Sequence, residues 1–298
     1  MLVGLDIGGT KIEVKVLSDT GIELFVRRVA TPNNYDDFIN VVAQLIADTE
    51  KEVGAFASIG AGLPGAVSPV TGFIQNANSV FLNGNDVVRD LQKITNKSVS
   101  IANDANCFAL SEAVDGAAKG SSVVFGAILG TGCGGGLVVN KNVLTGKNAI
   151  AGEWGHNPLP YYDPAIDGDI GTCYCGRKNC IEQFISGTGF AAQHNQKNQT
   201  KLNSKEIVDL AMNGQIEAKA SYDLLVDQMA RSFALLTNIL DPDAIVLGGG
   251  MSNVDSLYSD VKRAMSNYIF AEKPSIHLVK AKFGDSSGVR GAAWLSRR

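Results

Sequence analysis

The 298-residue chain carries 30 acidic and 26 basic residues, so its formal net charge at pH 7 is -4. Without a basic cluster, this charge argues against a nucleic-acid-binding surface. A hydrophobic content of 45% with 19% charged residues is ordinary globular composition, and the length allows two domains with cores of their own. The sequence shows no secretion signal and no apolar stretch suited to crossing a membrane, so we expect a cytoplasmic protein without a membrane partner.

A glycine-rich turn over residues 6–11 lies between two strand-like runs near the start of the chain. Gly8 and Gly9 let backbone N–H groups approach phosphate oxygens, Thr10 and Lys11 can add side-chain donors, and Asp6 can face a hydrated magnesium ion. An ordinary glycine hairpin explains the same residues without a ligand. A P-loop is excluded, because a strand and not a helix follows the turn.

A second turn of the same design follows the strand-like run over residues 123–129. Gly130, Gly132 and Gly135 satisfy the G-x-G-x-x-G pattern, but a dinucleotide-binding fold needs a helix after the turn, and the Leu-Val-Val-Asn that follows favours a strand. Two glycine hairpins, each opening one half of the chain, predict an internal duplication with nucleotide bound between the halves.

The segments between and after these turns alternate between strand-like and helix-like patterns, which predicts an α/β fold. The predicted elements are a helix capped by Asn34 and stopped by Gly54, strands over 58–63 and 99–102, a helix over 105–118, a surface loop over 193–203, a helix over 216–240 and a strand over 244–247.

Three thiols lie within eight residues at Cys173, Cys175 and Cys180, and His156 lies upstream of them. Three thiolates and one imidazole make a closed tetrahedral zinc site, which has a structural role because no ligand position is left open. A disulfide is the alternative, but a chain without a secretion signal is expected in a reducing compartment. We therefore predict structural zinc, which would order the loop that begins at Glu153.

These motifs together resemble the ROK family (repressor, open reading frame, kinase) of sugar kinases, and the resemblance runs from end to end of the chain. Within the family, the chain is most similar to bacterial fructokinases of the mannofructokinase type, through Asn76-Ala-Asn-Ser79, Asn103-Asp-Ala-Asn-Cys107 and Gly152-Glu-Trp-Gly-His-Asn-Pro158. The motifs that carry the family resemblance are Asp6-Ile-Gly-Gly-Thr-Lys11, Gly62-Leu-Pro-Gly65, Asn103-Asp-Ala-Asn106, Gly130-Thr-Gly132, Gly152-Glu-Trp-Gly-His156, the cysteine cluster with Ile181-Glu182, and Gly248-Gly-Gly250.

The resemblance implies an α/β, actin-like duplicated ATPase fold with two domains around a cleft. The implied division is a small N-terminal domain over 1–118, a larger domain over 119–287 and a C-terminal helix over 288–298 that returns to the first domain.

The resemblance also implies roles for individual residues. Asp104 would be the catalytic base, and His156 would serve both zinc and a sugar hydroxyl, because a zinc-bound imidazole keeps a second ring nitrogen. The implied sugar-binding residues are Gly65, Asn78, Asn103, Asp104, Glu153, His156 and Glu182. The implied nucleotide-binding residues are Asp6, Gly8, Gly9, Thr10 and Lys11 in the first loop, Gly130, Thr131 and Gly132 in the second, and Gly248, Gly249 and Gly250 near adenosine. The implied zinc ligands are His156, Cys173, Cys175 and Cys180.

Residue chemistry supports these roles unequally. Asn78 is open to a second interpretation, because asparagine is favoured in turns on its own account. Asp104 has stronger support, because it follows a predicted strand and ligands of open α/β sheets gather at strand ends.

The predicted activity is phosphorylation of a hexose at the 6-hydroxyl by ATP and Mg²⁺, with D-fructose as the first expected substrate and mannose as a second. N-acetylglucosamine kinase and glucokinase are the alternatives within the family. A sugar-responsive repressor is disfavoured, because the phosphate motif begins at about residue 4 and no helix-turn-helix precedes it. A catalytically dead sugar-binding protein is disfavoured by Asp104 and both phosphate loops. The expected partners are the hexose, ATP and a second copy of the chain in a homodimer.

Overall fold

A computed structural model of the protein describes residues 1–297. The strands of this part of the chain are β1 (Leu2–Ile7), β2 (Lys11–Leu17), β3 (Glu23–Ala30), β4 (Ser58–Leu63), β5 (Ala66–Val67), β6 (Ile74–Gln75), β7 (Ser98–Asn103), β8 (Val123–Leu129), β9 (Cys133–Val139), β10 (Asn142–Val143), β11 (Ala244–Gly248) and β12 (Leu278–Lys280). Its α-helices are α1 (Tyr35–Val53), α2 (Val87–Thr95), α3 (Asp104–Val114), α4 (Pro164–Asp167), α5 (Glu182–Ile185), α6 (Gly187–Asn198), α7 (Ser204–Met212), α8 (Ile216–Leu240), α9 (Ser256–Met265) and α10 (Ser287–Leu295).

The first sheet has the strand order β3-β2-β1-β4-β7. β1, β2 and β3 form an antiparallel meander, whereas β4 and β7 run parallel to β1. In the parallel register Asp6 lies opposite Gly62, and Leu63 lies opposite Asn103. The carboxyl ends of β1, β4 and β7 therefore reach the same edge of the sheet, where ligands of open α/β sheets bind.

The second sheet has the order β10-β9-β8-β11-β12, with β11 parallel to both β8 and β12. Counted from the first strand of each sheet, both orders read third, second, first, fourth, fifth. The two halves of the chain thus repeat one topology, which agrees with the predicted duplication.

The chain divides into two compact units, named unit 1 and unit 2 below. Unit 1 comprises Met1–Gly120, Gly136–Gly152 and the chain from Lys282 onward. Unit 2 comprises Ser121–Gly135 and Glu153–Ala281, so β9 begins in unit 2 and continues into unit 1. The core of unit 1 includes apolar side chains from the first sheet, α1 and α2.

The final helix, α10, packs closely on the first sheet and on α3. A side chain at Gly4 or Gly60 would overlap the backbone of α10, and one at Gly291 would overlap the backbone carbonyl of Cys107 in α3. Glycine at these positions allows the backbones to approach each other, as close helix packing requires.

Buried Glu112 in α3 fixes the segment that leads into α10. Its carboxylate accepts hydrogen bonds from the backbone N–H groups of Ala117, Lys282 and Phe283, and from the Ser287 hydroxyl. A buried carboxylate is tolerated only when hydrogen bonds replace its hydration, and these four bonds do so. Glu112 thereby joins the end of α3 to the start of α10.

The structure agrees with most of the predicted elements and corrects two of them. The helices predicted from Asn34 to Gly54 and over 216–240 are confirmed as α1 and α8. The helix predicted over 105–118 ends at Val114, because the Glu112 side chain and carbonyl draw the following residues into a turn.

The surface loop predicted over 193–203 is wrong, because residues up to Asn198 belong to α6. Two polar residues of α6 are half-buried and bind carbonyl groups: Gln193 donates to Phe184, and Asn195 donates to Leu202. Polarity therefore did not mean exposure here.

Among the described residues, no helix combines the length and apolarity that a membrane crossing requires.

Candidate functional site

The first glycine turn is closed by an internal hydrogen bond and is held by the side chain of a residue from another segment. The Gly8 N–H donates to the Lys11 carbonyl at 3.0 Å, and the Thr31 hydroxyl donates to the Gly8 carbonyl at 2.7 Å. Gly9, Thr10 and Lys11 are exposed. The sequence did not indicate Thr31, because it follows β3, far from the turn along the chain.

Asp6 and Asp104 approach one another at the carboxyl ends of β1 and β7. Burial, together with the negative charges of Asp104 and Glu13, raises the pKa of Asp6 to about 6. Burial also raises the pKa of Asp104, although the N–H of Ala105, 2.8 Å from Oδ1, stabilises its charged form. Crowded carboxylates of this kind attract cations, and a raised pKa improves a carboxylate as a proton acceptor.

Asn103 connects the start of α3 to the loop after β4. Its Oδ1 accepts from the Ala105 N–H at 2.9 Å as the N-cap of α3, and its Nδ2 donates to the Gly65 carbonyl at 3.2 Å. Gly65 has a φ of 106°, which favours glycine. The cap holds Asp104 at the first position of the helix.

The loop that carries Asn78 is fixed by a residue that the sequence did not indicate. The Asn83 side chain accepts from the Ala77 N–H at 2.9 Å and donates to the Ala77 carbonyl at 3.0 Å. A Cβ at Gly65 would lie 2.8 Å from the Ala77 nitrogen, so the two loops are in close contact. Asn78 itself is exposed.

The second glycine turn, in unit 2, is joined to Glu182 and to the start of α6. The Gly130 N–H donates to the Gly132 carbonyl at 3.0 Å, and the Gly187 N–H donates to the Gly130 carbonyl at 2.8 Å. Glu182 Oε2 accepts from the Cys133 N–H at 2.9 Å, and a Cβ at Gly132 would lie 2.8 Å from the same oxygen. Glycine at 132 therefore leaves room for this carboxylate.

The three glycines after β11 have different surroundings. Gly248 ends the strand, and Gly249 has a φ of 75°. A Cβ at Gly249 would lie 2.5 Å from the Leu129 carbonyl oxygen, at the base of the second glycine turn. A Cβ at Gly250 would meet no described atom within 4 Å, so this backbone is open to a ligand.

The short turn after Glu153 is anchored to β9. The Trp154 indole donates to the Gly134 carbonyl at 2.9 Å, and a side chain at Gly155 would overlap the Cys133 carbonyl. Glu153 is exposed at the start of this anchored turn. The Gly-Glu-Trp-Gly-His motif is thus a packing motif that presents a carboxylate.

The predicted zinc ligands come together in unit 2. The donor atoms of His156, Cys173, Cys175 and Cys180 all lie within 4.8 Å of one another. His156 Nδ1 is 3.7 Å from Cys173 Sγ, and Cys175 Sγ is 3.6 Å from Cys180 Sγ. Two thiolates at 2.3 Å from a tetrahedral zinc ion are about 3.8 Å apart, so this donor set fits zinc.

The second ring nitrogen of His156 has a partner within the protein. Nε2 lies 2.8 Å from the Tyr174 hydroxyl oxygen, and the two rings meet edge to face. Tyr174 was not among the predicted residues, because its position between two cysteines gave no signal of a separate role. A sugar hydroxyl that binds Nε2 would have to share it with Tyr174 or displace Tyr174.

Each unit therefore gathers part of the predicted site. Unit 1 brings together the first glycine turn, the two crowded aspartates, Asn103 and the Gly65 and Asn78 loops. Unit 2 brings together the second glycine turn with Glu182, and separately the His156 and cysteine cluster that follows the Glu153 turn.

The chain belongs to the ROK family, because the model described as "ROK family" matches residues 2–298. It is similar to the N-acetyl-D-glucosamine kinase of Haemophilus influenzae (strain 86-028NP), with 38% identity over 300 residues and 99% of both chains covered. It is also similar to the N-acetyl-D-glucosamine kinase of Photobacterium profundum, with 36% identity over 300 residues and 99% of both chains covered. The crystal structure of a ROK hexokinase from Thermus thermophilus matches with a TM-score of 0.87 at 29% identity, covering 99% of this chain and 97% of the other. The predicted family and the actin-like, two-domain fold are confirmed.

The prediction of fructose, and with it mannose, is wrong. The relatives that are 36% and 38% identical over their whole length are named N-acetyl-D-glucosamine kinases and not fructokinases. The motifs that suggested a fructokinase carry amides and carboxylates, which bind hydroxyl groups that all these hexoses present. Such motifs do not report on an acetamido group.

The crowding of Asp6 and Asp104 predicts a pH-dependent effect of Asp6→Asn on the protein without ligands. Because the pKa of Asp6 is raised in the folded state, folding favours the protonated form of this carboxyl group. That stabilisation is fully present below the pKa of the unfolded state and is lost as the pH rises through about 6. At pH 7 the variant should have a higher Tm than the wild type, whereas near pH 4 the two should melt together. A variant that is equally or less stable at pH 7 would show that Asp6 carries no such penalty.

Proposed function

We propose that the protein transfers the γ-phosphoryl group of ATP to the 6-hydroxyl of N-acetyl-D-glucosamine. The single observation that supports phosphoryl transfer best is the position of Asp104 beside Asp6, at the edge where the carboxyl ends of β1, β4 and β7 meet. The sugar is proposed from relatives that are named N-acetyl-D-glucosamine kinases and that align with this chain over 99% of their length.

The proposed chemistry assigns different roles to the two aspartates. Asp104 accepts the proton of the sugar hydroxyl as that oxygen attacks the γ-phosphorus in line, and its raised pKa suits this role. Asp6 would hold Mg²⁺ through its water ligands, because its carboxylate lies in the negative field of Asp104 and Glu13. Bound magnesium would neutralise part of the charge on the phosphates.

The phosphates and adenosine of ATP are proposed to bind the glycine-rich turns. In the first loop, Gly8 closes the turn through its bond to the Lys11 carbonyl, and Gly9, Thr10 and Lys11 would supply the donors to phosphate. In the second loop, Gly130 closes the turn through its bond to the Gly132 carbonyl, and Thr131 and Gly132 would supply donors to phosphate. The exposed backbone at Gly250 leaves space for adenosine beside Gly248 and Gly249.

The sugar is proposed to bind the residues that the family resemblance implies, which are Gly65, Asn78, Asn103, Asp104, Glu153, His156 and Glu182. Sugar hydroxyls both donate and accept, so fixed amides and carboxylates can distinguish their arrangement. The rigid setting of these groups supports this role: Asn103 is held by the cap of α3, and Glu153 begins an anchored turn. A buried polar group left without its partner penalises the wrong sugar.

We also propose that His156, Cys173, Cys175 and Cys180 hold a structural zinc ion. The ion would fix the segment from Cys173 to Cys180 to the turn that begins at Glu153, and so would support the sugar-binding carboxylate. A cytoplasmic location and a homodimeric assembly, both suggested by the resemblance to the family, are further parts of the proposal.

ATP turnover with N-acetylglucosamine, N-acetylmannosamine, glucose, mannose and fructose tests the substrate. We expect the highest kcat/KM for N-acetylglucosamine. A higher value for glucose would contradict the acetamido assignment but keep the kinase, whereas the absence of turnover with every sugar would contradict both.

The Asp104→Asn variant tests the proposed base. The amide keeps the shape of the side chain and an acceptor oxygen, but it cannot take the proton from the hydroxyl. We expect kcat to fall by about 100-fold or more, in the range of general-base removal, while KM for sugar and ATP changes far less. Asp36→Asn, at an exposed aspartate of α1, is the control and should leave kcat unchanged.

A variant with near-normal kcat at saturating sugar would show that Asp104 is not the base. A variant with normal kcat but a raised KM for the sugar would instead assign Asp104 to binding alone.

The Cys175→Ala variant tests the zinc proposal sharply, because Cys175 is exposed and its loss would cost little without a metal. We expect about one zinc per wild-type chain, less in the variant, a lower Tm and a higher KM for the sugar. Cys107→Ala, outside the cluster, should keep its zinc. Wild-type protein that is fully active and stable without metal would contradict the proposal.

A further inference from the structure

The hydroxyl group of Ser79 lacks a hydrogen-bond partner in the part of the chain that the structure describes. The residue is only 7% exposed, so water does not replace that partner freely. Buried hydroxyl groups are paired in the large majority of cases, because leaving one unpaired costs free energy. An unpaired hydroxyl in a structured loop therefore requires an explanation.

Ser79 does not use this hydroxyl for the local role that its position suggests. It directly precedes the short 3-10 turn Val80–Leu82, where a serine side chain commonly caps the free N–H groups. The Ser79 carbonyl accepts from the Leu82 N–H at 2.9 Å, but the side chain caps no N–H group of the turn. The hydroxyl therefore has no partner among the described residues, in its own turn or elsewhere.

The hydroxyl lies at the first glycine turn. Ser79 Oγ is 3.8 Å from the position that a Cβ on Gly9 would take, and apart from Gly8, Gly9 and Thr10 no other described residue has an atom within 4 Å of that position. Ser79 also follows Asn78 directly in the sequence. The hydroxyl therefore lies where the proposed phosphate loop and the proposed sugar-binding loop meet.

The loop that carries Ser79 is held in place by Asn83 and by contacts with the Gly65 loop. Asn83 binds both the N–H and the carbonyl of Ala77, and Ala77 packs against Gly65. Gly65 is in turn bound by Asn103, which caps the helix that begins at Asp104. A fixed donor of this kind loses little conformational entropy when it binds a ligand.

We propose that the Ser79 hydroxyl donates a hydrogen bond to an oxygen of the transferred phosphoryl group. The ligand class is a phosphate ester or anhydride, and the hydroxyl keeps its own proton throughout. The inference rests on the proposed function, because it places the phosphoryl group between the two loops. Ser79 would bind this group both on ATP during transfer and on the sugar 6-phosphate product.

Direct binding measurements on Ser79→Ala test this proposal. We expect the affinity for the 6-phosphate of N-acetylglucosamine to fall by about 10- to 100-fold, as for the loss of a hydrogen bond to a charged group. The affinity for unphosphorylated N-acetylglucosamine should stay unchanged. In turnover, kcat should fall while KM for the sugar stays nearly constant.

Ser111→Ala is the matched control, because Ser111 is also buried with an unpaired hydroxyl but lies within α3. This control should leave both affinities unchanged. Neither variant should lower Tm, because each removes a hydroxyl that forms no bond in the folded protein. A stable Ser79→Ala protein therefore separates a loss of binding from a loss of folding.

Two results would overturn the proposal without affecting the proposed function. One is a Ser79→Ala enzyme with wild-type affinity for the sugar phosphate, and the other is an equal loss of affinity for sugar and sugar phosphate, which would assign Ser79 to the sugar alone. A wild-type protein that phosphorylates no hexose would overturn both the function and the role of Ser79.

Discussion

The burial of two carboxylates, Asp6 and Asp104, at one edge of the first sheet is the constraint on which the proposed site in unit 1 depends. The pairing of β1 with β4 and of β4 with β7 brings the ends of these strands to one edge, and the two carboxylates come with them. Each has a raised pKa, with burial as the largest cause, and Asp104 adds to the shift of Asp6. Burying two carboxylates together does not stabilise the fold. It does favour the binding of a cation and the transfer of a proton from a reacting hydroxyl group.

Close backbone packing holds the strands and the helix that carry these buried carboxylates in place. Glycine at positions 4 and 60 lets α10 lie directly on β1 and β4, and Gly291 lets the same helix approach α3, which begins at Asp104. The carboxylate of Glu112 ties the far end of α3 to the segment before α10. The cost of the crowded aspartates is thus offset by packing and hydrogen bonds elsewhere in unit 1.

The sequence predicted the elements and motifs whose signals are local. The cap at Asn34 and the stop at Gly54 are signals of single residues at the ends of α1, and the glycine turns follow from adjacent residues. The polar side chains of α6 that bind carbonyl groups, such as Gln193, were missed because their partners lie in other segments. Thr31, Asn83 and Tyr174 were missed for the same reason: their roles come from contacts that no short pattern records. The match to N-acetyl-D-glucosamine kinases, in place of the fructokinases expected first, was missed because amides and carboxylates suit the hydroxyl groups that all hexoses share.

The most direct test of this account is a crystal structure of the protein with N-acetylglucosamine, Mg²⁺ and a non-hydrolysable ATP analogue. The account predicts the sugar 6-hydroxyl within about 3 Å of an Asp104 oxygen, as proton transfer requires, with magnesium-bound water facing Asp6. A complex in which the 6-hydroxyl contacts Glu153 or Glu182, while Asp104 binds only the N–H of Ala105, would contradict it.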